Sequence, residues 1–214
     1  MEKNDIRRLV KERKRGYSDA QLEEMSRIII GRIRNLPQYR KADIVFAYMD
    51  LPGEVKMRDF ICGCWEDGKT VAVPKIVMSE IANSTPGYKD STSGKGTEDC
   101  RINTIFREMR FFRIRSFEDL QEGTMHIMEP DPQKCDCLDA AENALIIMPG
   151  VAFDINRHRI GYGGGFYDRY LAKHPDHPTV AAAYSFQVFD QIPAEAQDIR
   201  PQVLVTEEDV IGSF

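Results

Sequence analysis

A cluster of four glycines lies between a basic and an acidic residue late in the chain. The glycines fall within residues 161–165, and they are preceded by Arg159 and followed by Asp168. Glycine loses more backbone freedom on folding than other residues, so such a cluster needs a physical reason. Close approach to an anion is one, because N–H groups at a helix N-terminus bind phosphate oxygens. We therefore predict an anion-binding loop, with a tight turn as the alternative.

This glycine cluster does not match the two commonest nucleotide motifs. A Walker loop would need Gly-Lys-Ser/Thr after the glycines, and the spacing within 161–165 is wrong for a dinucleotide fingerprint. Residues 93–97 resemble a fragment of a Walker loop, but Lys95 is followed by glycine and Gly87 lies too far upstream. We interpret residues 93–97 as loop.

Hydrophobic periodicity predicts strands that alternate with helices. Apolar runs predict strands at 43–48, 70–74, 107–114, 144–148, 179–184 and 203–206. Helical patterns cover 5–15, 19–35, 55–67 and 164–174, and Ser18 with Gln21 forms a capping box before the second of these. The alternation predicts an α/β fold, a single layered α/β/α domain over residues 1–214 with a largely parallel sheet. The strand at 144–148 leads into the glycine segment, whereas residues about 78–106 are polar and are predicted to form a flexible loop or insertion.

The composition is that of an ordinary globular protein in solution. Of the 214 residues, 42% are hydrophobic and 29% charged, and the net charge of −5 argues against a nucleic-acid partner. No apolar run is long enough to span a bilayer, so we expect no membrane partner. The chain has five cysteines and no signal peptide, which indicates reduced thiols and a cytoplasmic location.

Residues 149–171 closely resemble the signature of the 5-formyltetrahydrofolate cyclo-ligase family, also called methenyltetrahydrofolate synthetase. The matching stretch reads Pro-Gly-x-Ala-Phe-Asp at 149–154 and Arg-Ile-Gly-Tyr-Gly-Gly-Gly-Phe-Tyr-Asp-Arg at 159–169, with Leu171. Weaker matches follow the family's order elsewhere, at Lys3, Arg7, Arg13, Phe46, Tyr48, Glu54, Val55, Lys69, Val71, Val73, Pro74, Lys75, Glu129, Pro130, Gln187, Pro193, Asp198, Val205, Thr206 and Glu207. The resemblance covers nearly the whole chain except roughly residues 78–106.

The resemblance implies a NagB/RpiA/CoA transferase-like architecture and a ligase activity. The family converts 5-formyltetrahydrofolate and ATP into 5,10-methenyltetrahydrofolate, ADP and phosphate, with Mg²⁺. The formyl oxygen is a poor leaving group until it is phosphorylated, after which N10 of the folate closes the ring with the advantage of proximity. ATP and 5-formyltetrahydrofolate are therefore the expected partners. We expect a monomer, with a dimer as the alternative.

The resemblance also implies a role for each site residue. Glu54, Arg159 and Tyr162 are expected to be catalytic. The expected ATP contacts are Lys3, Arg7, Arg159, Ile160, Gly161, Tyr162, Gly163, Gly164, Gly165, Phe166 and Tyr167. The expected folate contacts are Glu54, Tyr162, Gly163, Gly164, Gly165 and Phe166. Asp168 and Asp198 are the expected Mg²⁺ ligands, although Asp168 in a first helical turn could instead complement the helix dipole and Asp198 could be an ordinary turn residue.

Three positions depart from the family pattern. Met57 stands where threonine is usual, Gln202 where an acidic residue is common, and Phe166 where tyrosine is frequent. Met57 and the polar 78–106 segment leave a second hypothesis open, a catalytically weak homologue that binds nucleotide or folate as a sensor or partner-binding module. A third is an isomerase or acyl-CoA transferase on a similar scaffold, because a fold does not determine a function.

Overall fold

The computed structural model describes residues 1–83, 102–123, 127–139 and 141–212. The helices in these ranges are α1 (Lys3–Lys14), α2 (Asp19–Asn35), α3 (Pro37–Lys41), α4 (Arg58–Glu66) and α5 (Phe166–Lys173). Helix α2 begins with the predicted capping box, in which the Ser18 hydroxyl and the Gln21 side chain each accept the other residue's backbone N–H. No helix within the described ranges is long and apolar enough to cross a membrane.

One large, mostly parallel sheet organises the chain. Its strands, in spatial order, are β12 (Val210–Gly212), β11 (Val203–Val205), β9 (Thr179–Ala182), β6 (Leu145–Met148), β1 (Ile44–Phe46), β2 (Thr70–Asn83) and β3 (Ile102–Ile114). The strand pairs from β11 through β9, β6 and β1 to β2 are parallel, and only the two edge pairs are antiparallel. The prediction of a largely parallel sheet is confirmed. Two small sheets join β10 (Val188–Phe189), β7 (Ala152–Asp154) and β8 (Arg159–Ile160), and β4 (Leu120–Glu122) with β5 (Met128–Pro130).

Apolar side chains pack on both faces of the large sheet. Successive strand residues alternate between two clusters, so that Val45 and Ile147 join one cluster while Phe46 and Ile146 join the other. Helices α1 to α4 cover the first cluster, and α5 covers the second with Tyr170. Helices on both faces of one sheet confirm the layered α/β/α prediction.

The predicted loop at 78–106 was wrong at both ends. Strand β2 continues to Asn83 and β3 begins at Ile102, and the two strands pair in register from Val71 with Ile114 to Asn83 with Ile102. This antiparallel pairing satisfies backbone groups whatever the side chains, so a polar sequence does not prevent it. Residues 84–101 of the predicted loop lie outside the described residues.

Candidate active site

A large cavity lies at the carboxyl ends of the central strands, and we call it the main cavity. The strand order reverses direction between β1 and β6, which is where ligands bind in open α/β sheets. The cavity has a volume of about 920 Å³ and is lined by Tyr48 and Met49 after β1 and by Pro149 after β6. This is the place at which the topology favours a ligand site.

Every residue that the sequence predicted for the site lines the main cavity. They are Lys3, Arg7, Glu54, Arg159, Ile160, Gly161, Tyr162, Gly163, Gly164, Gly165, Phe166, Tyr167, Asp168 and Asp198. These residues come from α1, the loop after β1, the segment from β8 to the start of α5, and the loop before β11. We call the part from Arg159 to Asp168 the glycine segment. The fold thus collects residues that are up to 195 positions apart in the chain.

The approach to the glycine segment differs from the predicted one. Strand β6 does not lead directly into the glycines, because the short hairpin β7–β8 intervenes. The buried Asp154 holds the turn of this hairpin: Oδ1 accepts the backbone N–H groups of Asn156 and His158 at 2.9 Å each. Its Oδ2 contacts His158 Nδ1 at 2.9 Å and accepts the Ile192 N–H at 3.2 Å. Asp154 therefore fixes the hairpin whose second strand carries Arg159.

We expect Asp154→Asn to lower the free energy of unfolding by about 2 kcal/mol, because an amide cannot accept hydrogen bonds at both positions of a buried carboxylate. Urea unfolding measures this change. Asp190→Asn is the matched control, because Asp190 is exposed nearby and should give a change below about 0.5 kcal/mol. Equal stability of the two variants would contradict the role of Asp154 in the hairpin.

An ion pair joins the two ends of the glycine segment. Arg159 is 8% exposed, and its Nη2 lies 2.9 Å and 3.0 Å from the two carboxylate oxygens of Asp168. Asp168 Oδ1 also accepts the Ile199 backbone N–H at 3.0 Å. The guanidinium is thereby held at the cavity wall, and its Nε is buried without a hydrogen-bond partner among the described residues. A cation fixed in this way can meet phosphate oxygens without reorganising.

Two of the glycines adopt backbone conformations that favour glycine. Gly163 has φ of 101° and Gly165 has φ of 61°, both in the left-handed region. Gly165 is the residue before α5, so the loop delivers the helix N-terminus and its free N–H groups to the cavity. Arg7 of α1 fixes the loop from the other side, because its Nε and Nη2 donate to Gly161 O at 3.0 Å and 2.8 Å.

The start of α1 meets the loop before β11. Lys3 Nζ lies 2.8 Å from Glu195 Oε1 and 3.0 Å from Asp198 Oδ2. The Glu195 carboxylate, opposed by partial burial and aided by Asp198, raises the pKa of Lys3. Lys3, Arg7 and Arg159 therefore present three cations to one end of the main cavity.

The predicted metal ligands lie close together but already carry cationic partners. Asp168 pairs with Arg159, Asp198 pairs with Lys3, and Ile199 links the two carboxylates along the chain. Within the described ranges, no group of three or more His, Cys, Asp or Glu side chains is arranged to hold a metal ion. Mg²⁺ generally takes only one or two carboxylates and completes its shell with phosphates and water. The residues thus fit a metal that is shared with a bound triphosphate.

Glu54 is the most strongly perturbed carboxyl group at the cavity. It is 4% exposed, and burial raises its pKa from 4.5 to about 7. The Leu51 N–H, which donates to Oε2 at 2.8 Å, and the Tyr162 hydroxyl lower this pKa, whereas the charge of Asp50 raises it. The nearby Tyr167 hydroxyl is buried without a hydrogen-bond partner in the described part of the chain. Glu54 can therefore exchange a proton near neutral pH.

Two departures from the family pattern do not touch the main cavity. Met57 is fully buried in the core, and its backbone N–H donates to Asp50 Oδ1 at 3.0 Å. Gln202 lies beside β9, where its backbone N–H donates to Thr179 Oγ1 at 3.0 Å. Neither residue is among the described residues that line the cavity, whereas Phe166 is.

Sequence reasoning missed part of the opposite wall. Arg107 and Met109 of β3 line the cavity, as do Pro74 and Ile76 of β2 and Arg169 of α5. Arg107 is the first residue of the strand predicted at 107–114, directly after the segment predicted as loop. The sequence therefore placed Arg107 on a strand, but it gave no signal that the side chain lies at the site. Register between β2 and β3 decides which of these side chains face the site, and sequence alone does not give that register.

Comparison with known proteins points to one family. The model of the 5-formyltetrahydrofolate cyclo-ligase family matches residues 1–207. A relative from Schizosaccharomyces pombe is named probable 5-formyltetrahydrofolate cyclo-ligase. It is 25% identical over an alignment of 228 residues, which covers 100% of this chain and 99% of the relative. The Escherichia coli strain K12 protein named 5-formyltetrahydrofolate cyclo-ligase is 26% identical, covering 94% of this chain and 98% of its own.

Solved structures agree with this result. An NMR structure of the 5,10-methenyltetrahydrofolate synthetase from Aquifex aeolicus superposes with a TM-score of 0.73 at 28% identity, covering 99% of this chain and 93% of the other. A second synthetase structure, from Mycoplasma pneumoniae, shares the fold with a TM-score of 0.63 at 18% identity, covering 97% and 99%.

Proposed function

This chain belongs to the 5-formyltetrahydrofolate cyclo-ligase family, and from that premise we propose that its main cavity couples phosphoryl transfer from ATP to ring closure of 5-formyltetrahydrofolate. The chain is a ligase that forms 5,10-methenyltetrahydrofolate. One observation supports the site assignment above all others. Three cations, the glycine loop and a buried carboxyl of raised pKa line a single cavity of about 920 Å³.

The reaction requires an activated formyl oxygen. A bond forms between this oxygen and the γ-phosphorus of ATP while the bond from that phosphorus to ADP breaks. N10 of the folate then attacks the formyl carbon, the carbon–oxygen bond breaks, and phosphate leaves with the former formyl oxygen. N10 loses its proton as the methenyl bridge forms, so electrons and atoms balance.

We assign the phosphate end of the cavity to ATP. The backbone N–H groups of Gly163 to Gly165 and the start of α5 favour anionic oxygens. Lys3 and Arg7 lie one helical turn apart on α1 and would contact the same nucleotide. Arg159, held by Asp168, would stabilise the charge on the phosphoryl group during transfer.

We assign the folate end to Glu54, Tyr162 and Phe166. Glu54 would lie against the reacting N5, formyl and N10 atoms, where a pKa of about 7 suits proton transfer. Tyr162 contacts Glu54 and would keep its carboxylate oriented toward the substrate. Phe166 would contribute an apolar surface for the folate.

Mg²⁺ is proposed as the cofactor, with Asp168 and Asp198 as its protein ligands. When bound, it would supply positive charge to the phosphates. We expect Asp168→Asn to raise the Mg²⁺ concentration for half-maximal activity about tenfold, because the amide lacks the negative charge that attracts a hard cation. A Mg²⁺ titration of activity measures this shift. Glu66→Gln, at an exposed position on α4, is the control. An unchanged titration of the Asp168 variant would refute its metal role.

The direct test of the proposed function is an absorbance assay. Purified protein, Mg²⁺ and 5-formyltetrahydrofolate should give the methenyl chromophore only when ATP is added, with one ADP for each methenyl product. Tight ligand binding in calorimetry without turnover would contradict the proposal and favour the second hypothesis, a catalytically weak homologue. Met57 does not support that hypothesis, because its side chain lies in the core.

Location and assembly remain predictions. We propose a cytoplasmic protein that acts as a monomer, with a dimer as the alternative, and with the two small molecules as its partners. A relative from Arabidopsis thaliana is named as mitochondrial, so the family as a whole is not tied to one compartment.

A further inference from the structure

The loop at residues 49–57 carries Glu54 to the main cavity, and we call it the Glu54 loop. It lies between β1 and α4, and all of its residues are described and form neither helix nor strand. Backbone groups in such a loop are not fixed by a regular ladder of hydrogen bonds, so their partners must come from elsewhere. The position of the Glu54 carboxyl therefore depends on what holds this loop.

Two buried hydroxyl groups hold the backbone directly after the Glu54 side chain. The Tyr184 hydroxyl donates to Glu54 O at 3.0 Å, and Ser26 Oγ accepts the Lys56 N–H at 3.1 Å. The two hydroxyl oxygens lie 2.9 Å apart, so they form one connected group. The Glu54 loop is thus hydrogen-bonded at two positions that are only two residues apart.

Both hydroxyls belong to rigid parts of the fold. Ser26 lies within α2, where its Oγ also donates to Leu22 O at 2.7 Å, and Tyr184 follows the end of β9. Tyr184 is fully buried and Ser26 is 2% exposed, on the face of the sheet that holds the first apolar cluster. Hydroxyls in such surroundings are unfavourable unless they are hydrogen-bonded. Their pairing with the Glu54 loop ties that loop to one helix and to one strand of the large sheet.

The Glu54 carboxyl is in turn fixed within the loop. The Leu51 N–H donates to Glu54 Oε2 at 2.8 Å, and the Glu54 N–H donates to Leu51 O at 3.0 Å. These contacts set the orientation of the carboxyl relative to the loop, whereas Tyr184 and Ser26 set the position of the loop relative to the sheet. A displacement of about 1 Å can lower a catalytic rate by on the order of a hundredfold. The two hydroxyls therefore control the distance between Glu54 and a substrate.

We propose that Tyr184 and Ser26 are positioning residues, whose hydroxyls hold the Glu54 carboxyl at the distance that catalysis requires. This inference rests on the proposed function, in which Glu54 faces the reacting atoms of the folate. The alternative is that the hydroxyls satisfy buried backbone groups and contribute to stability alone. The two possibilities differ in whether the effect of losing a hydroxyl depends on Glu54.

A double-mutant cycle between Tyr184→Phe and Glu54→Gln tests the proposal. In the wild type, Tyr184→Phe should lower kcat in the absorbance assay about tenfold, while KM for ATP stays within about twofold. In the Glu54→Gln background, the same change should lower kcat by less than about twofold, because no carboxyl remains to be positioned. Ser26→Ala, which removes the acceptor of the Lys56 N–H, should show the same dependence on Glu54 with a loss of about threefold.

Tyr39→Phe is the matched control. Tyr39 is 2% exposed, and its hydroxyl donates to Asp67 Oδ2 at 2.6 Å rather than to the Glu54 loop. This variant also loses a buried hydrogen bond, so thermal melts should show that it is destabilised, but its kcat should stay within about twofold of the wild type. If Tyr184→Phe does not fold, Ser26→Ala decides by the same comparison.

Two results would overturn the proposal. One is a folded Tyr184→Phe variant with wild-type kcat. The other is an equal loss in both backgrounds, because the hydroxyl would then act independently of Glu54. The cycle also separates this inference from the proposed function. A Glu54→Gln variant with wild-type kcat would refute the catalytic role of Glu54 and the inference with it, whereas an equal loss in both backgrounds refutes the inference alone.

Discussion

Replacing Arg159 with alanine is expected to lower kcat about a thousandfold, the scale on which a single arginine acts in phosphoryl transfer. Arg159 is almost fully buried at the cavity wall and is held by both oxygens of Asp168. Its charge is therefore fixed at the cavity wall, where we propose that the phosphoryl group is transferred. Steady-state kinetics under saturating ATP and folate measure the loss.

Two further variants separate chemistry from folding in the Arg159 experiment. Arg159→Lys keeps the charge but loses the planar pair of donors, so we expect an intermediate loss of about tenfold to a hundredfold. Arg113→Ala, on β3 and outside the residues lining the main cavity, should retain wild-type kinetics. Thermal melts identify any variant that is unfolded. A folded Arg159→Ala variant with kcat within fivefold of the wild type would contradict the assignment.

Replacing Glu54 with glutamine is expected to change activity and stability in opposite directions. Activity should fall about a hundredfold, because the amide cannot take up a proton. Stability at pH 8 should rise by about 2–3 kcal/mol, because the wild type must then keep a buried carboxylate ionised. The native pKa of about 7 lies above the value of 4.5 expected without burial, so native Glu54 prefers to be protonated.

The sign of this effect sets its pH window. The stability that protonated Glu54 contributes is fully present below about pH 4.5 and is lost as the pH rises through about 7. The advantage of the Glu54→Gln variant should thus be small at pH 4.5 and largest at pH 8. Urea unfolding at both pH values measures it, with the exposed Glu66→Gln as the control that should show no such trend. A variant that is less stable than the wild type at pH 8 would contradict the burial of an ionised Glu54.

Several residues that line the main cavity could be singled out from the sequence because they lie together in one short segment. Gly163 and Gly165 need left-handed backbone, and Arg159 and Asp168 flank them within ten residues of chain. The weaker family matches outside the signature added Lys3 and Asp198, which lie near opposite ends of the sequence but form an ion pair at 3.0 Å. No local pattern could have joined those two residues.

The opposite wall was not predictable in the same way. Arg107 faces the cavity because β3 pairs with β2 in one register, and that register depends on the partner strand rather than on local preference. The pairing of Arg159 with Asp168 was also missed. The resemblance implied ATP as the ligand of Arg159 and Mg²⁺ as the ligand of Asp168, whereas in the structure the two side chains pair with each other.

If the formyl oxygen leaves the folate as part of the phosphate, an isotope label on that oxygen should appear in the phosphate. The protein would be incubated with Mg²⁺, ATP and 5-formyltetrahydrofolate labelled with ¹⁸O at the formyl oxygen, and the released inorganic phosphate analysed by mass spectrometry. We expect one ¹⁸O atom in each phosphate formed with the methenyl product. Unlabelled phosphate, with the ¹⁸O recovered in water, would contradict phosphorylation of the formyl oxygen in this cavity.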